Sequence, residues 1–289
     1  MIFDEHKHRE ISVVDARNHI TESSDNQCER EVGQAFSVKS IDLRIDGRAI
    51  LSDVTLEFPP GEVVALVGHN GSGKSSLLKI LARQLAPTAG TSKYAGRDLE
   101  TYHNRSFARS VAYLPQDLGM GSDMTVRELV ACGRYPWHGA LGRFSAEDQE
   151  KVDAAIRATG IETYADRVVG TLSGGERQRA WIAMLIAQDA GCLLLDEPTA
   201  ALDIAHQLEV LSLVRQLAHD GGKSVVVVLH DINMAARFCD RIHALKSGRV
   251  VATGLPEEIL VSEILYAIYG IEMNVIAASN ARYPIAYPL

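Results

Sequence analysis

Three groups of residues in this chain have the types and spacing to do phosphate chemistry. The first is Gly68-His69-Asn70-Gly71-Ser72-Gly73-Lys74-Ser75, a complete G-x-x-x-x-G-K-[ST] string. Its glycines let the backbone turn tightly and aim N–H groups inward, and a following helix adds partial positive charge. Lys74 is suited to reach the outer phosphates and the Ser75 hydroxyl to ligate Mg²⁺. The second group is Asp196-Glu197, which closes the apolar run Cys192-Leu193-Leu194-Leu195. Carboxylates at the end of such a strand stand at the edge of an α/β sheet where ligands bind. Asp196 would hold Mg²⁺, directly or through water, and Glu197 would orient and deprotonate an attacking water. The third is Leu172-Ser173-Gly174-Gly175-Glu176-Arg177-Gln178-Arg179. Ser173 is a good N-cap, and the helix it opens presents a second N-terminus fit for an anion. The plainer readings are a chance Gly-rich turn, two solvated acids and an ordinary capped core helix. The last does not account for Gly174 and Gly175, which cost roughly 1 kcal/mol each inside a helix. The combination implies a nucleoside triphosphate as ligand.

The flanking elements are those such groups require. Glu62 to Val67 is β-branched and apolar, as a buried parallel strand should be. From Ser76 to Leu85, the residues Leu77, Leu78, Leu81, Ala82 and Leu85 share one helical face. Upstream, alternation from Phe36 to Phe58 predicts strands joined by a turn at Asp46-Gly47. Pro87-Thr88-Ala89-Gly90 marks a helix stop, and Val111 to Leu114 is a short strand ending at Pro115-Gln116. Thr125 and Ser145 open capping boxes with Glu128 and Asp148, and Gly160 closes the second helix. Between them Arg134 to Phe144 is aromatic, Gly-rich and without amphipathic period. Strands resume at Cys192–Glu197 and Ser224–His230, with a helix from His206 to His219 between them, and a strand pair surrounds Lys246-Ser247-Gly248. The alternation predicts an α/β fold with a mostly parallel sheet, helices on both faces and a helical insertion at about 117–190. Residues 1–34 read as a flexible extension. Pro256 to Leu289 reads as a small helix plus an irregular end, whose Ile259, Leu260, Ile264, Leu265 and Ile268 either pack on the core, the favoured reading, or meet a partner.

At 289 residues and 46% hydrophobic, the chain can build a packed core rather than remain disordered. Net charge is −8 with no sustained basic stretch, which argues against nucleic acid as the main partner. Cys28, Cys132, Cys192 and Cys239 fit no zinc or redox spacing and suit a reducing compartment. No apolar run approaches the roughly 18–20 residues that cross a bilayer, and Met1 to Gly33 lacks a signal-peptide apolar region. A chain that is cytosolic, or attached to a membrane only through a partner, is expected.

The phosphate loop, Gln116 after a strand, Leu172 to Glu176, Cys192 to Glu197, Ala201-Leu202-Asp203 and His230 follow the order and spacing of the ATP-binding cassette (ABC) transporter ATPases, which this chain resembles over residues 36 to about 260. The resemblance implies a P-loop NTPase (RecA-like) core with an antiparallel β-subdomain and an inserted α-helical subdomain. Residues 35–260 would form the ATPase domain and 261–289 a C-terminal tail. It also implies ATP and Mg²⁺. Gly68 to Ser76 would cradle the phosphates, with Ser75, Gln116 and Asp196 near the metal. Two copies would face head to tail, each ATP lying between one phosphate loop and the partner copy's Ser173-Gly174-Gly175-Glu176. Asp203 would lie near the dimer seam, and His230 would contact the γ-phosphate and support the Glu197 water. Where many relatives carry an aromatic to stack on adenine, this chain has Ile45, so looser discrimination among nucleotides is expected. Ala112 to Gln116, Met124 to Val130, Arg134 to Phe144 and Leu229 to Arg237 are similar to the importers of iron–siderophores, haem and vitamin B12. Arg134 to Phe144, Gly174 to Ala183 and Leu202 to Gln207 are most similar to the ferric hydroxamate import ATPases. A membrane permease, an indirect periplasmic siderophore-binding protein and a peripheral site on the cytoplasmic face of the inner membrane are then implied. The alternatives are the same motor importing another siderophore, haem or B12, and a soluble ABC ATPase. One cassette and no extended heptad run disfavour the last.

Overall fold

The computed structural model describes residues 36–119, 123–139, 142–200, 202–276 and 283–289. The expectations for residues 1–34, and those touching Cys28, Ala140, Leu141 and Ala201, fall outside the described residues.

β1 (Phe36–Ile45) and β2 (Arg48–Phe58) form an antiparallel hairpin in which Ile45 pairs with Arg48. Asp46 and Gly47 both take left-handed φ, 49° and 78°, the geometry that lets a two-residue turn follow the twist of its strands. β3 (Val63–Val67) then enters the main sheet and leads into α1 (Lys74–Leu81). This helix stops short of Leu85. Arg83 adopts φ 56°, its N–H reaches the Ile80 carbonyl at 3.0 Å, and the Gln84 N–H reaches that of Lys79 at 2.8 Å. That pair of bonds is a Schellman closure, made here without glycine.

Pro87 to Gly90 is therefore not the helix stop that the sequence suggests. Ala89 already opens β4 (Ala89–Tyr94), which with β5 (Arg97–Asp98) completes a four-stranded antiparallel sheet of order β2-β1-β4-β5. Gly90 serves a close approach instead, since a Cβ there would lie 2.3 Å from the Ser40 carbonyl oxygen.

After α2 (Asn104–Ser110) comes β6 (Val111–Leu114), an edge strand of the main sheet. The insertion contains α3 (Val126–Cys132), α4 (Tyr135–His138), α5 (Ala146–Ala158) and α6 (Gly174–Gln188). Both expected capping boxes form, at Thr125 with Glu128 and at Ser145 with Asp148. The aromatic stretch from Arg134 carries the short α4, which no periodicity announces. Arg105 and Arg109 of α2 hold it by donating to the carbonyls of Pro136 and Trp137.

β7 (Cys192–Asp196), α7 (Ile204–His219), β8 (Ser224–Val228), α8 (Ile232–Phe238), β9 (Arg241–Lys246) and β10 (Arg249–Gly254) complete a six-stranded sheet of order β10-β9-β3-β8-β7-β6. All neighbours pair parallel except β10 with β9. Its central strands are buried on both faces, which is why they read as unbroken apolar runs. Val63, Ala65, Leu193, Leu195, Val225 and Val227 face a core shared with the insertion, α7 and α8. Val64, Leu66, Cys192, Leu194, Val226 and Val228 face a second core shared with α1 and the antiparallel sheet.

The tail is more regular than its sequence suggests. α9 (Pro256–Ile259) and α10 (Ser262–Tyr269) precede β11 (Met273–Ile276) and β12 (Ile285–Pro288), which pair antiparallel. Ile259, Leu260, Leu265 and Ile268 are buried in the core of the main sheet, as expected of them.

Candidate nucleotide site

The phosphate loop joins β3 to α1 at the carboxyl edge of the parallel sheet. Gly68, Gly71 and Gly73 take φ of 137°, 75° and 99°, a path closed to side-chain-bearing residues at Gly68, where a Cβ would fall 2.0 Å from the Leu245 carbonyl oxygen. Gly73 is the N-cap of α1, with no side-chain cap and no acid in the first turn. The first N–H groups of α1 are thus left for an anion. Lys74 is buried, and its ammonium donates to the carbonyls of Gly68 and His69, both at 2.9 Å. Burial lowers its pKa, opposed by the negative charges of Glu197 and Asp196.

The sheet brings the acids to this loop across 121 positions. Ser75 Oγ donates to Asp196 Oδ1 at 2.8 Å. Burial pushes the Asp196 carboxyl up, the Ser75 bond pulls it back, and the neighbouring charge of Glu197 pushes it up again. The donors here are a hydroxyl, a carboxylate and the Gln116 amide, hard groups that suit Mg²⁺. Among the described residues no cluster of three or more His, Cys, Asp or Glu forms a cage of its own.

Glu197 follows β7 in the left-handed region, φ 52°, an uncommon and strained setting for a non-glycine residue. Its carboxylate is bracketed. Oε2 accepts from Gln116 Nε2 at 2.7 Å, and Oε1 lies 2.7 Å from His230 Nε2. Ile50, Asn70, Gly71, Gly73, Lys74, Ser75, Ser76, Gln116, Glu197 and His230 line one cleft of about 390 Å³. Ile45 is not on its wall; Ile50, whose place in the apolar alternation marks it only as a strand residue, is the apolar residue that is.

The Ser173 group lies elsewhere. Ser173, Gly174, Gly175, Glu176 and Asp203 are not among the residues lining this cleft. Ser173 Oγ accepts from the Glu176 N–H at 3.3 Å while Glu176 accepts from the Ser173 N–H at 2.8 Å. Asp203 caps α7, accepting from the N–H of His206 at 2.9 Å and from its ring at 2.8 Å. The structure also supplies a reason for one glycine that the sequence left unexplained. The His206 ring packs on Gly175 so closely that a Cβ would lie 2.6 Å from its Cδ2. Among the described residues a Cβ at Gly174 would meet only Leu202, at an ordinary 3.8 Å. The signal for His206 was its place three residues after the capping Asp203.

The ABC transporter family profile matches residues 51–200. The ferric enterobactin transport ATP-binding protein FepC of Escherichia coli is 42% identical over 240 residues, 83% of this chain and 89% of that protein. The petrobactin import ATP-binding protein FpuC of Bacillus anthracis is 44% identical over 248 residues, 86% and 91% of the two chains. The iron(3+)-hydroxamate import ATP-binding protein FhuC of Bacillus subtilis is 37% identical over 251 residues, 87% and 93% of the two. Among solved structures, a chain of a metal-chelate type ABC transporter in an inward-facing conformation superposes with a TM-score of 0.78 at 27% identity, covering 89% of this chain and 98% of that one. A P-loop NTPase fold with this cleft defines an ATP-hydrolysing protein. The chain belongs to the ABC transporter ATP-binding family.

Proposed function

We propose that this chain is the ATPase subunit of an importer of ferric siderophores, hydroxamates foremost, working as two head-to-tail copies beneath a membrane permease. The observation that carries the motor is the bracketed Glu197 facing Lys74 and Ser75 across one cleft. Glu197 takes a proton from water held beside it; His230 orients that carboxylate and reaches the same cleft. Lys74 and the N–H groups of α1 hold the outer phosphates. Ser75 and Asp196, with Gln116 close by, would hold Mg²⁺, which would supply charge neutralisation on the phosphate oxygens.

The Ser173 helix end lies outside the cleft lining, which fits the head-to-tail reading in which the partner copy's Ser173 segment meets the ATP. ATP then bridges two N-termini, and hydrolysis removes the bridge. This is differential binding to two states, which a ligand-driven switch requires. Among the described residues no helix is long and apolar enough to cross a membrane, which fits attachment through the permease at the cytoplasmic face. A periplasmic binding protein would deliver the cargo.

The cargo reading rests on relatives named for siderophore transport and on the Arg134–Phe144 and Leu202–Gln207 resemblance. Enterobactin and petrobactin relatives match at higher identity than the hydroxamate one, so the class is better supported than the compound. Radioiron uptake in cells lacking this chain, supplied with ferric hydroxamate, ferric enterobactin, haem or labelled B12, tests it. Loss confined to hydroxamates, restored by the normal chain and not by Glu197→Gln, is expected. Loss of another cargo overturns the compound and keeps the motor; no loss overturns the importer.

A further inference from the structure

His69 stands at the first variable position of the phosphate loop, and its two ends do different work. Its carbonyl accepts from the Lys74 ammonium at 2.9 Å. Its ring Nε2 lies 2.6 Å from the carbonyl oxygen of Tyr269, 200 positions away, with the two rings edge to face at 5.6 Å. Tyr269 is the last residue of α10, and Gly270 leaves the helix at φ 73°. Its carbonyl is one of those a helix end leaves without an internal partner. The imidazole N–H therefore caps α10, and α10 in turn fixes the loop residue that holds Lys74.

α10 is itself anchored. Leu265 and Ile268 are buried, and Lys246 donates to the Ala267 carbonyl at 2.6 Å. Beyond it, β12 grips the other side of the site. Asn233 and Ala286 exchange two hydrogen bonds, side-chain amide to carbonyl at 2.9 Å and N–H to side-chain oxygen at 2.8 Å. Asn233 lies in the first turn of α8, two residues after the N-cap Asp231 and three after His230. Gly68, His69, Asn70, His230 and Tyr269 line a common depression beside the nucleotide cleft.

We propose that the C-terminal segment is a positioning element of the nucleotide site, acting on the phosphate loop through the His69–Tyr269 contact and on the His230 loop through the Asn233–Ala286 pair. His69, Tyr269 and Asn233 are positioning residues and touch no reacting atom. The proposal rests on the cleft being the ATP site.

Steady-state ATP hydrolysis by the full chain, with nucleotide affinity and thermal unfolding measured alongside, tests it. His69→Ala is expected to raise KM for ATP and weaken nucleotide affinity about three- to tenfold, the scale of one hydrogen bond, with a smaller change in kcat. His69→Gln, whose amide can still donate to the Tyr269 carbonyl, should recover most of the loss. Tyr269→Phe should behave like the normal chain, since its hydroxyl has no hydrogen-bond partner among the described residues, whereas Tyr269→Ala keeps the backbone carbonyl that accepts from His69 and loses only the ring contact, so its effect should be smaller than that of His69→Ala. Asn233→Ala should lower kcat more than it changes KM. Normal KM in His69→Ala, or failure of Gln to rescue a folded chain, overturns the loop arm; unchanged kcat in Asn233→Ala overturns the other. Lys74→Ala separates the two readings. If it binds nucleotide normally, the site assignment fails, whatever His69 does.

Discussion

His230 Nε2 lies 2.7 Å from one carboxylate oxygen of Glu197 while Gln116 Nε2 lies 2.7 Å from the other, so the acid is held from two directions. A carboxylate fixed in this way, acting as the proposed general base, would keep its lone pairs aimed without losing orientation entropy during the reaction. Glu197→Gln keeps the size and both neighbours but removes the basic oxygen. Hydrolysis should fall about 10²- to 10⁴-fold with ATP affinity retained. Normal turnover in that variant, measured by phosphate release, would remove the base assignment.

Lys74 is buried at the loop with its ammonium spent on two carbonyls, ready to be shared with phosphate. Lys74→Ala deletes a charge-assisted interaction whose scale is about 1.5–3 kcal/mol. Nucleotide affinity, read by titration calorimetry, should fall by about tenfold or more. An unchanged Kd would sink the role.

Gly175 and His206 make a clean test of why this glycine is there. Gly175→Ala forces a Cβ to 2.6 Å from the His206 ring, an overpacking worth about 1–3 kcal/mol. His206→Ala frees that space, so the double variant should regain most of the lost thermal stability. The two substitutions would then be strongly non-additive. Strict additivity of the unfolding midpoints would mean that the ring does not set the requirement.

Arg134 and Asp148 form a buried ion pair at 2.8 Å that joins the α4 stretch to α5. Burial pushes the Asp148 carboxyl up, but hydrogen bonds from Ser145 and Arg134 outweigh it and bring it down from 3.8 to about 2. A carboxyl whose folded pKa is depressed contributes stability above its unfolded pKa and loses it as pH falls through the folded one. This contribution should therefore be complete at neutral pH and fade between about pH 4 and pH 2. Arg134→Ala strands the carboxylate and should cost about 3–5 kcal/mol at pH 7. Urea unfolding at several pH values would reveal it; a cost that does not shrink towards pH 2 would contradict the pairing.

What the sequence determined by itself was everything encoded in contiguous residues. The glycine spacing from Gly68 to Gly73, the unbroken apolar strands before Gly68 and Asp196, and the capping boxes at Thr125 and Ser145 are local, because turn geometry, strand burial and capping act within a few residues. The resemblance carried by those strings reached the family and the fold. Only the tertiary structure decided which distant groups meet. It joined Ser75 to Asp196 and Gln116 to Glu197, laid His206 on Gly175, and put Ile50 rather than Ile45 on the cleft wall. It also turned Ala89 to Asp98 into strands and the end of the chain into a hairpin, although neither stretch has a strong period. Such contacts depend on which surfaces close on one another once loops are paid for in entropy, and that is a property of the whole packed chain rather than of any window along it.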